Sequence, residues 1–259
     1  MTIFPKVSII TVCFNSAATI RDTIESVLHQ SYPNIEYLII DGGSTDDTLK
    51  IIAEYGDKIS RVVSERDRGI YDAMNKGIHL ASGEIIGILN SDDVYMDVES
   101  VKILVTPIVE GRSDSSFADL VVVSMGDLKK VVRYYDSSYF SPAKFRYGWM
   151  PAHPTFFIKK SCYEIVGDYS LSYKIAADYE MLIRLLLIAG FSYVYISKPL
   201  IKMRLGGASS AGLARNWILN REIVRACKEN GVWTTLPLLL LKVPQKLAGR
   251  IFKRKLLQI

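Results

Sequence analysis

Ile88-Leu89-Asn90-Ser91-Asp92-Asp93 decides the reading of this chain, because an apolar run ends there abruptly in adjacent carboxylates. A buried strand that delivers Asp-Asp to its C-terminal end sets hard oxygen ligands at the mouth of a sheet. Open α/β sheets bind their ligands at that edge. Such oxygens suit Mg²⁺ or Mn²⁺, ions that keep coordination positions open for substrate phosphates. Adjacent Asp residues also occur in plain solvated turns, so the surrounding pattern has to discriminate.

Outward from that point the chain alternates between two periods. Val7 to Val12 is short and β-branched, a buried strand. A helical stripe of Ile20, Ile24, Val27 and Leu28 follows, closed by Tyr32-Pro33. Glu36 to Ile40 and Ile59 to Ser64 read as strands, with a helix carrying Leu49, Ile52 and Ala53 between them. Ile70 to Ala81 is the next helix, and Glu84 to Leu89 the fourth strand. Strands alternating with helices predict βαβ units and a mostly parallel central sheet, an α/β, Rossmann-like class. Beyond Asp93 the rhythm changes: a helix over Val98 to Val109, strands near Leu120–Ser124 and Val131–Tyr135, then an aromatic stretch to Trp149. Phe156–Ile158 reads as a strand, Ala177 to Ala189 as an apolar helix, and Tyr193–Ile196 and Ile201–Leu205 as two further strands. The expected organisation is a domain over 1–210, with a nucleotide-binding half at 1–95 and an acceptor half at 96–210. A helical, basic tail over 211–259 follows.

Composition narrows the class. The 259 residues are 49% hydrophobic and 23% charged, with a net charge of +5. Lys242, Lys246, Arg250, Lys253, Arg254 and Lys255 all follow Gly231 with no acid among them, leaving −1 for the preceding positions. A nearly neutral body argues against a broad nucleic-acid-binding face. Cys13, Cys162 and Cys227 are distant and odd in number, so a disulfide framework or zinc site is not expected and a reducing cytoplasm fits. The N-terminus lacks signal-peptide features, and no run reaches the roughly 18–20 apolar residues that span a bilayer. In the tail, Leu247, Ile251, Phe252, Leu256 and Ile259 share one helical arc opposite Lys246, Arg250, Lys253 and Arg254, broken by Lys255 and Leu257. A helix of this kind lies in an anionic membrane interface, or packs on the body or a partner.

Two further segments carry candidate chemistry. In Asp41-Gly42-Gly43-Ser44 the glycines let backbone approach a ligand and Asp41 can accept from a base N–H or a ribose hydroxyl; the same residues make a tight helix start. GxGxxG and GxxxxGK are both absent, which disfavours dinucleotide and P-loop chemistry. Asp67 to Gly77 opens a helix whose first turns carry Asp72, Asn75 and Lys76, an arrangement that either attracts anions or simply caps the helix.

Taken together, Val7-Ser8-Ile9-Ile10-Thr11-Val12-Cys13-Phe14-Asn15, Asp41-Gly42-Gly43-Ser44-Thr45-Asp46, Gly69-Ile70-Tyr71-Asp72-Ala73-Met74-Asn75-Lys76-Gly77 and Asn90-Ser91-Asp92-Asp93 resemble glycosyltransferase family 2, with its GT-A fold. The likeness is greatest to bacterial enzymes of exopolysaccharide and lipopolysaccharide assembly, of the colanic-acid type, and covers about residues 5–205. It implies a nucleotide-diphospho-sugar donor, UDP-linked, and a glycan or lipid-linked acceptor on the cytoplasmic face of the inner membrane, with peripheral membrane association. It implies that Asp41 contacts the base, with backbone around Val12 and Phe14 lining the pocket. Asn15, Asp72, Asn75, Ser91 and Asp92 join that donor set, and Asp93, with Asp92, holds Mn²⁺ or Mg²⁺. Asp178, opening the Ala177–Ala189 helix, matches the general base, although it could equally cap that helix. His153 matches a residue facing the donor, and Arg204 would bring a cation over the diphosphate; either could also be structural. The chain departs from many relatives at Met74, where they carry Arg, and at Ala177, where they carry Glu, so Lys76 or Arg68 would have to supply the phosphate contact. A sugar-phosphate nucleotidyltransferase and a non-catalytic assembly partner are the alternative classes; the first needs a Gly-rich, Arg-containing first loop that Val12 to Asn15 does not provide.

Overall fold

The computed structural model describes residues 4–206 and 213–240. The amphipathic tail expected beyond Pro244 and the loop Gly207–Ser210 lie outside them. Among the described residues no helix is long and apolar enough to cross a membrane.

Four strands carry the first half: β1 (Val7–Cys13), β2 (Ile35–Asp41), β3 (Arg61–Ser64) and β4 (Ile85–Ile88). They run parallel in the order β3-β2-β1-β4. The connecting helices are α1 (Ile20–Leu28), α2 (Thr48–Ala53) and α3 (Ile70–Leu80). Because the strands are parallel, the loops after β1, β2, β3 and β4 all emerge at one edge of the sheet. β1 is buried at every position, which is why it reads as a continuous apolar run rather than an alternating one.

The second half extends the same sheet with antiparallel and parallel pairs. β5 (Asp93–Tyr95), α4 (Ser100–Val109), β6 (Ser115–Ser124), β7 (Asp127–Tyr135), β8 (Phe157–Lys159), α5 (Lys160–Val166), α6 (Ala177–Ile183) and β9 (Tyr193–Arg204) follow, then α7 (Leu213–Glu229) and α8 (Leu236–Leu240). The sheet continues β4-β8-β6-β9-β5, with β7 alongside β6. β8 runs antiparallel to β4, so the His153–Thr155 turn that precedes it returns to the edge where β4 ends. β6 and β9 are parallel.

Four elements differ from the periodic reading. The segments Tyr193–Ile196 and Ile201–Leu205 are one strand, interrupted by a register shift that leaves Ser197 and Lys198 between the pairs Ala118–Ile196 and Asp119–Pro199. Pro199 cannot donate to the ladder, so the irregularity sits where a hydrogen bond is lost anyway. The expected helix over 177–189 ends as an α-helix at Ile183 and continues as a π turn over Arg184–Ile188. Arg184 donates there to Val166 O and Asp168 O and pairs with Glu180. Finally, β5 and α5 are too short for a hydrophobic period to announce them.

Helix α3 lies on β1 and β2 through a glycine. A Cβ at Gly77 would stand 2.3 Å from Ile10 Cγ2 and 3.3 Å from Ile40 Cγ1. Helix propensity alone predicts that Gly77→Ala gains about 1 kcal/mol. The packing predicts the opposite sign: urea unfolding should show a net loss of about 1–3 kcal/mol from overpacking, and a net gain would contradict this close approach.

Candidate active site

The loops after β1, β2 and β4 are tied to one another by side chains. Asn15 takes a left-handed conformation with φ 48°, its Oδ1 accepting from Thr45 N at 2.8 Å and its own N donating to Ser44 Oγ at 2.8 Å. Ser16 N donates to Thr48 Oγ1, and the Ser16 and Ser91 hydroxyls stand 2.8 Å apart. Phe14, 61% exposed between these anchors, offers an aromatic face at the mouth of the sheet, whereas the Val12 side chain is buried in the core.

Asp41 ends β2 fully buried. Its carboxylate accepts from Gly43 N (3.1 Å), Ser44 N (3.0 Å), Ser44 Oγ (2.5 Å) and Ser64 Oγ (2.7 Å). Burial pushes this carboxyl up, but those donors outweigh it and hold the group below the ordinary carboxylate range. Asp41 therefore shapes the turn, and the turn presents Gly42 and Gly43. A Cβ on Gly42 would stand 2.5 Å from Asp67 Oδ2, so that side chain would have to move, while Gly43 has φ +85°, a backbone that favours glycine.

The Asp-Asp turn between β4 and β5 is pinned on several sides. Asp93 N donates to Asn90 O (3.1 Å), Thr23 Oγ1 donates to Asp93 O (2.8 Å), and Asp93 pairs with Met203 in β9. Asp93 is 1% exposed, and its Oδ1 and the Asn90 Oδ1 are buried with no hydrogen-bond partner among the described residues. Burial, then the adjacent Asp92 charge, drives the Asp93 carboxyl well above its ordinary value; burial also raises Asp92. Orphaned buried oxygens are rare and call for an explanation. A hard cation fits here, and two carboxylates leave coordination positions open for phosphate oxygens. Among the described residues no cluster of three His, Cys, Asp or Glu side chains is grouped to hold a metal.

Arg204 departs from its expected place over the diphosphate. It is 5% exposed, and its guanidinium is spent on Asp92 O (3.1 Å), Met125 O (3.2 Å) and the Asp22 carboxylate. It holds the Asp-Asp turn by its carbonyl, from behind. Asn75 departs likewise: its Nδ2 donates to Tyr169 O (2.9 Å) and its Oδ1 accepts from Tyr169 N (2.8 Å). Both amide groups are committed to clipping the Tyr169 loop onto α3. Met74 is 3% exposed in the core, which is why no cation stands at that position.

Asp178 opens α6 and is half-buried, with Oδ1 accepting from Tyr179 N (2.8 Å). The Tyr71 hydroxyl, from the first turn of α3, donates to Ile175 O (2.5 Å) and lies 3.5 Å from Asp178 Oδ1. Tyr71 stacks on Tyr169 at 5.9 Å, and the Tyr169 hydroxyl reaches His153 Nε2 at 2.9 Å. Burial raises the Asp178 carboxyl, with His153 pulling the other way, and burial lowers His153. A carboxylate whose proton affinity is raised is a stronger base when ionised. Glu222 of α7 accepts from the backbone N–H groups of Lys174, Ile175 and Ala176 (2.8–3.0 Å) and so fixes the run into Asp178.

Along the outer face of α3 lies a cleft of about 340 Å³ that includes Arg68, Asp72, Lys76 and His79. Asp72 takes Arg68 Nη2 at 3.0 Å and Lys76 Nζ at 3.4 Å, and Lys76 also pairs with Glu65 at 2.8 Å. Lys76 is thus engaged, while the Arg68 side chain remains 76% exposed. The structure joins the β1, β2 and β4 loops into one network, and Tyr71 joins α3 to Asp178. Sequence reasoning missed Asp22, Tyr71, Tyr169 and Glu222. Only Tyr71 left a signal, standing inside the quoted Gly69–Gly77 motif.

The sequence model of Glycosyl transferase family 2 matches residues 8–175, a span that ends just before Asp178. The uncharacterized glycosyltransferase Rv1514c of Mycobacterium tuberculosis is 35% identical over 191 residues, 73% of this chain and 71% of that one. Among solved structures, S. aureus TarS 1-349 in complex with UDP-GlcNAc superposes with a TM-score of 0.68 at 20% identity, over 85% of this chain and 66% of that one. Against the longer TarS structure the chain spans 39% of its length. The mannosyltransferase PcManGT of Pyrobaculum calidifontis, in complex with GDP-Man and Mn²⁺, gives a TM-score of 0.62 at 17% identity over 94% of this chain and 80% of that one. The strand-end loops, the family match and the mycobacterial relative agree: this chain belongs to glycosyltransferase family 2 and is built on the α/β GT-A fold.

Proposed function

We propose that the chain transfers a sugar, with inversion and with the help of a divalent cation, from a UDP-linked diphospho-sugar to a glycan or lipid-linked acceptor in cell-surface polysaccharide synthesis. The observation that carries this reading is the buried, partnerless Asp93 Oδ1 beside Asp92 at the C-terminal end of β4. Support for a uridine donor comes from the likeness to TarS with UDP-GlcNAc, and for a metal from the likeness to PcManGT with Mn²⁺. The acceptor and the cytoplasmic membrane face rest on the family resemblance, and the buried, free thiols of Cys13, Cys162 and Cys227 are compatible with a reducing compartment.

Asp93 and Asp92 would hold Mn²⁺ or Mg²⁺, which when bound offsets charge growing on the leaving diphosphate. Exposed Phe14 gives the base a surface on which to stack. The acceptor hydroxyl oxygen attacks the anomeric carbon from the face opposite the diphosphate. Its proton passes to Asp178 as the carbon–oxygen bond to the diphosphate breaks and the nucleoside diphosphate departs. Tyr71 and the Glu222 clamp keep Asp178 aimed while this happens. A nucleotidyltransferase reading finds no support, since Asn15 and Ser16 fill the first loop with ties to Ser44, after β2, and to Thr48 of α2, rather than with glycine and arginine.

Calorimetry with UDP and Mn²⁺ tests the metal assignment. Asp93→Ala should remove the Mn²⁺-dependent part of UDP affinity, and an unchanged dissociation constant would refute it.

Asp178→Asn should leave donor affinity intact while lowering turnover by about 10²–10⁴-fold, the usual worth of a general base. A base works ionised, so turnover should fall as pH drops through the Asp178 pKa. Burial raises that pKa, so the acid limb should lie above the ordinary Asp value of about 3.9. Wild-type turnover in the variant, or an acid limb at or below that value, would end the role of Asp178 as base.

A further inference from the structure

Helix α7 buries one side and leaves the other open. Ile223, Ala226 and Cys227 face the core, while Trp217, Arg221 and Lys228 form an exposed stripe on the opposite side, spaced as one helical face. Trp217 is 57% exposed, with Ile218 beside it at 38%. After the helix, Trp233 is 65% exposed and carries the Arg146 guanidinium 5.3 Å over its ring. Large exposed apolar side chains mark interaction surfaces: Trp217 and Ile218 adjoin on α7, and Trp233 follows four residues after its end. The pairing here is specific, because tryptophan with flanking Lys and Arg is the side-chain set that seats at the headgroup level of a bilayer. The sequence that follows adds Lys242, Lys246, Arg250, Lys253, Arg254 and Lys255 without an acid.

We propose that the Trp217–Arg221–Lys228 stripe of α7, with Trp233, is a docking surface for an anionic lipid bilayer. The juxtaposition that gives it consequence is Glu222. This residue adjoins Arg221 on the same helix and clamps the Lys174–Ala176 backbone that leads directly to Asp178. The helix that seats on the membrane therefore also positions the general base, which suits an acceptor whose sugar is tethered to lipid. The proposal extends the lipid-linked reading of the acceptor given above.

The test uses the full chain and needs no acceptor. Co-sedimentation is measured with vesicles of phosphatidylcholine alone and of phosphatidylcholine with phosphatidylglycerol, alongside tryptophan emission and UDP binding. The wild type should sediment with the anionic vesicles only, and its emission should shift to the blue. Arg221→Glu with Lys228→Glu should weaken partitioning by at least about tenfold, given about 1 kcal/mol for each cation near an anionic surface. Trp217→Ala with Trp233→Ala should abolish the blue shift, Trp149 being the one tryptophan left. UDP affinity and far-ultraviolet circular dichroism should be unchanged in both variants, which separates this proposal from the donor-site reading. Undiminished partitioning of the charge-reversal variant would overturn it, since the tail alone would then account for binding. Equal binding to both vesicle types, or a wild-type dimer that the variants dissociate, would overturn it as well.

Discussion

A buried carboxyl with one oxygen left unpartnered is the constraint around which the site is organised: Asp93 Oδ2 is within 3.5 Å of Asn90 Nδ2, and Oδ1 has no partner among the described residues. Leaving a buried polar atom unsatisfied costs about 1–3 kcal/mol. The surroundings nevertheless hold Asp93 firmly: Thr23 takes its carbonyl, β9 pairs with its backbone, and Arg204 grips the carbonyl of Asp92. Such over-determination of an unfavourable arrangement is what a ligand-binding turn requires. Under the proposed function, a bound cation would offset that cost.

The second organising feature is the bridge between the parallel half of the sheet and the helical elements beyond it. Two residues of α3 make it: Tyr71 reaches Ile175 and Asp178, and Asn75 clips the Tyr169 loop. From the other side Glu222 holds the same run of backbone. Asp178 thus stands on a segment fixed from both flanks, with its proton affinity raised by burial rather than by a neighbouring negative charge.

The sequence made the strand–helix alternation of the first half plain, because β1 and β4 are buried throughout and β2 from Tyr37 on, so they show as short, mainly apolar and β-branched runs. It also made the Asp-Asp turn and the Gly-Gly turn plain, since only a few residue types suit those backbone positions. What escaped was whatever depends on partners distant in the chain. Arg204 and Asn75 looked like ligand contacts because Arg and Asn are common ones; Asp22 and the Tyr169 backbone, which occupy them, are 182 and 94 positions away. The π turn after Ile183 breaks the local period without any Gly to announce it, so a pattern argument runs straight through it. At Ser197 and Lys198 the reverse happens: the polar pair before Pro199 reads as the end of one strand, although the ladder to β6 resumes beyond it.

The proposed donor site lies at the C-terminal ends of β1, β2 and β4, organised by the Asp93 oxygens. Anomalous scattering from a crystal grown with Mn²⁺ and UDP would locate it. A single manganese peak is expected within coordination distance of an Asp93 carboxylate oxygen and of the diphosphate, with uracil against the Asp41–Ser44 turn. Nucleotide bound elsewhere, or manganese remote from Asp92 and Asp93, would contradict it.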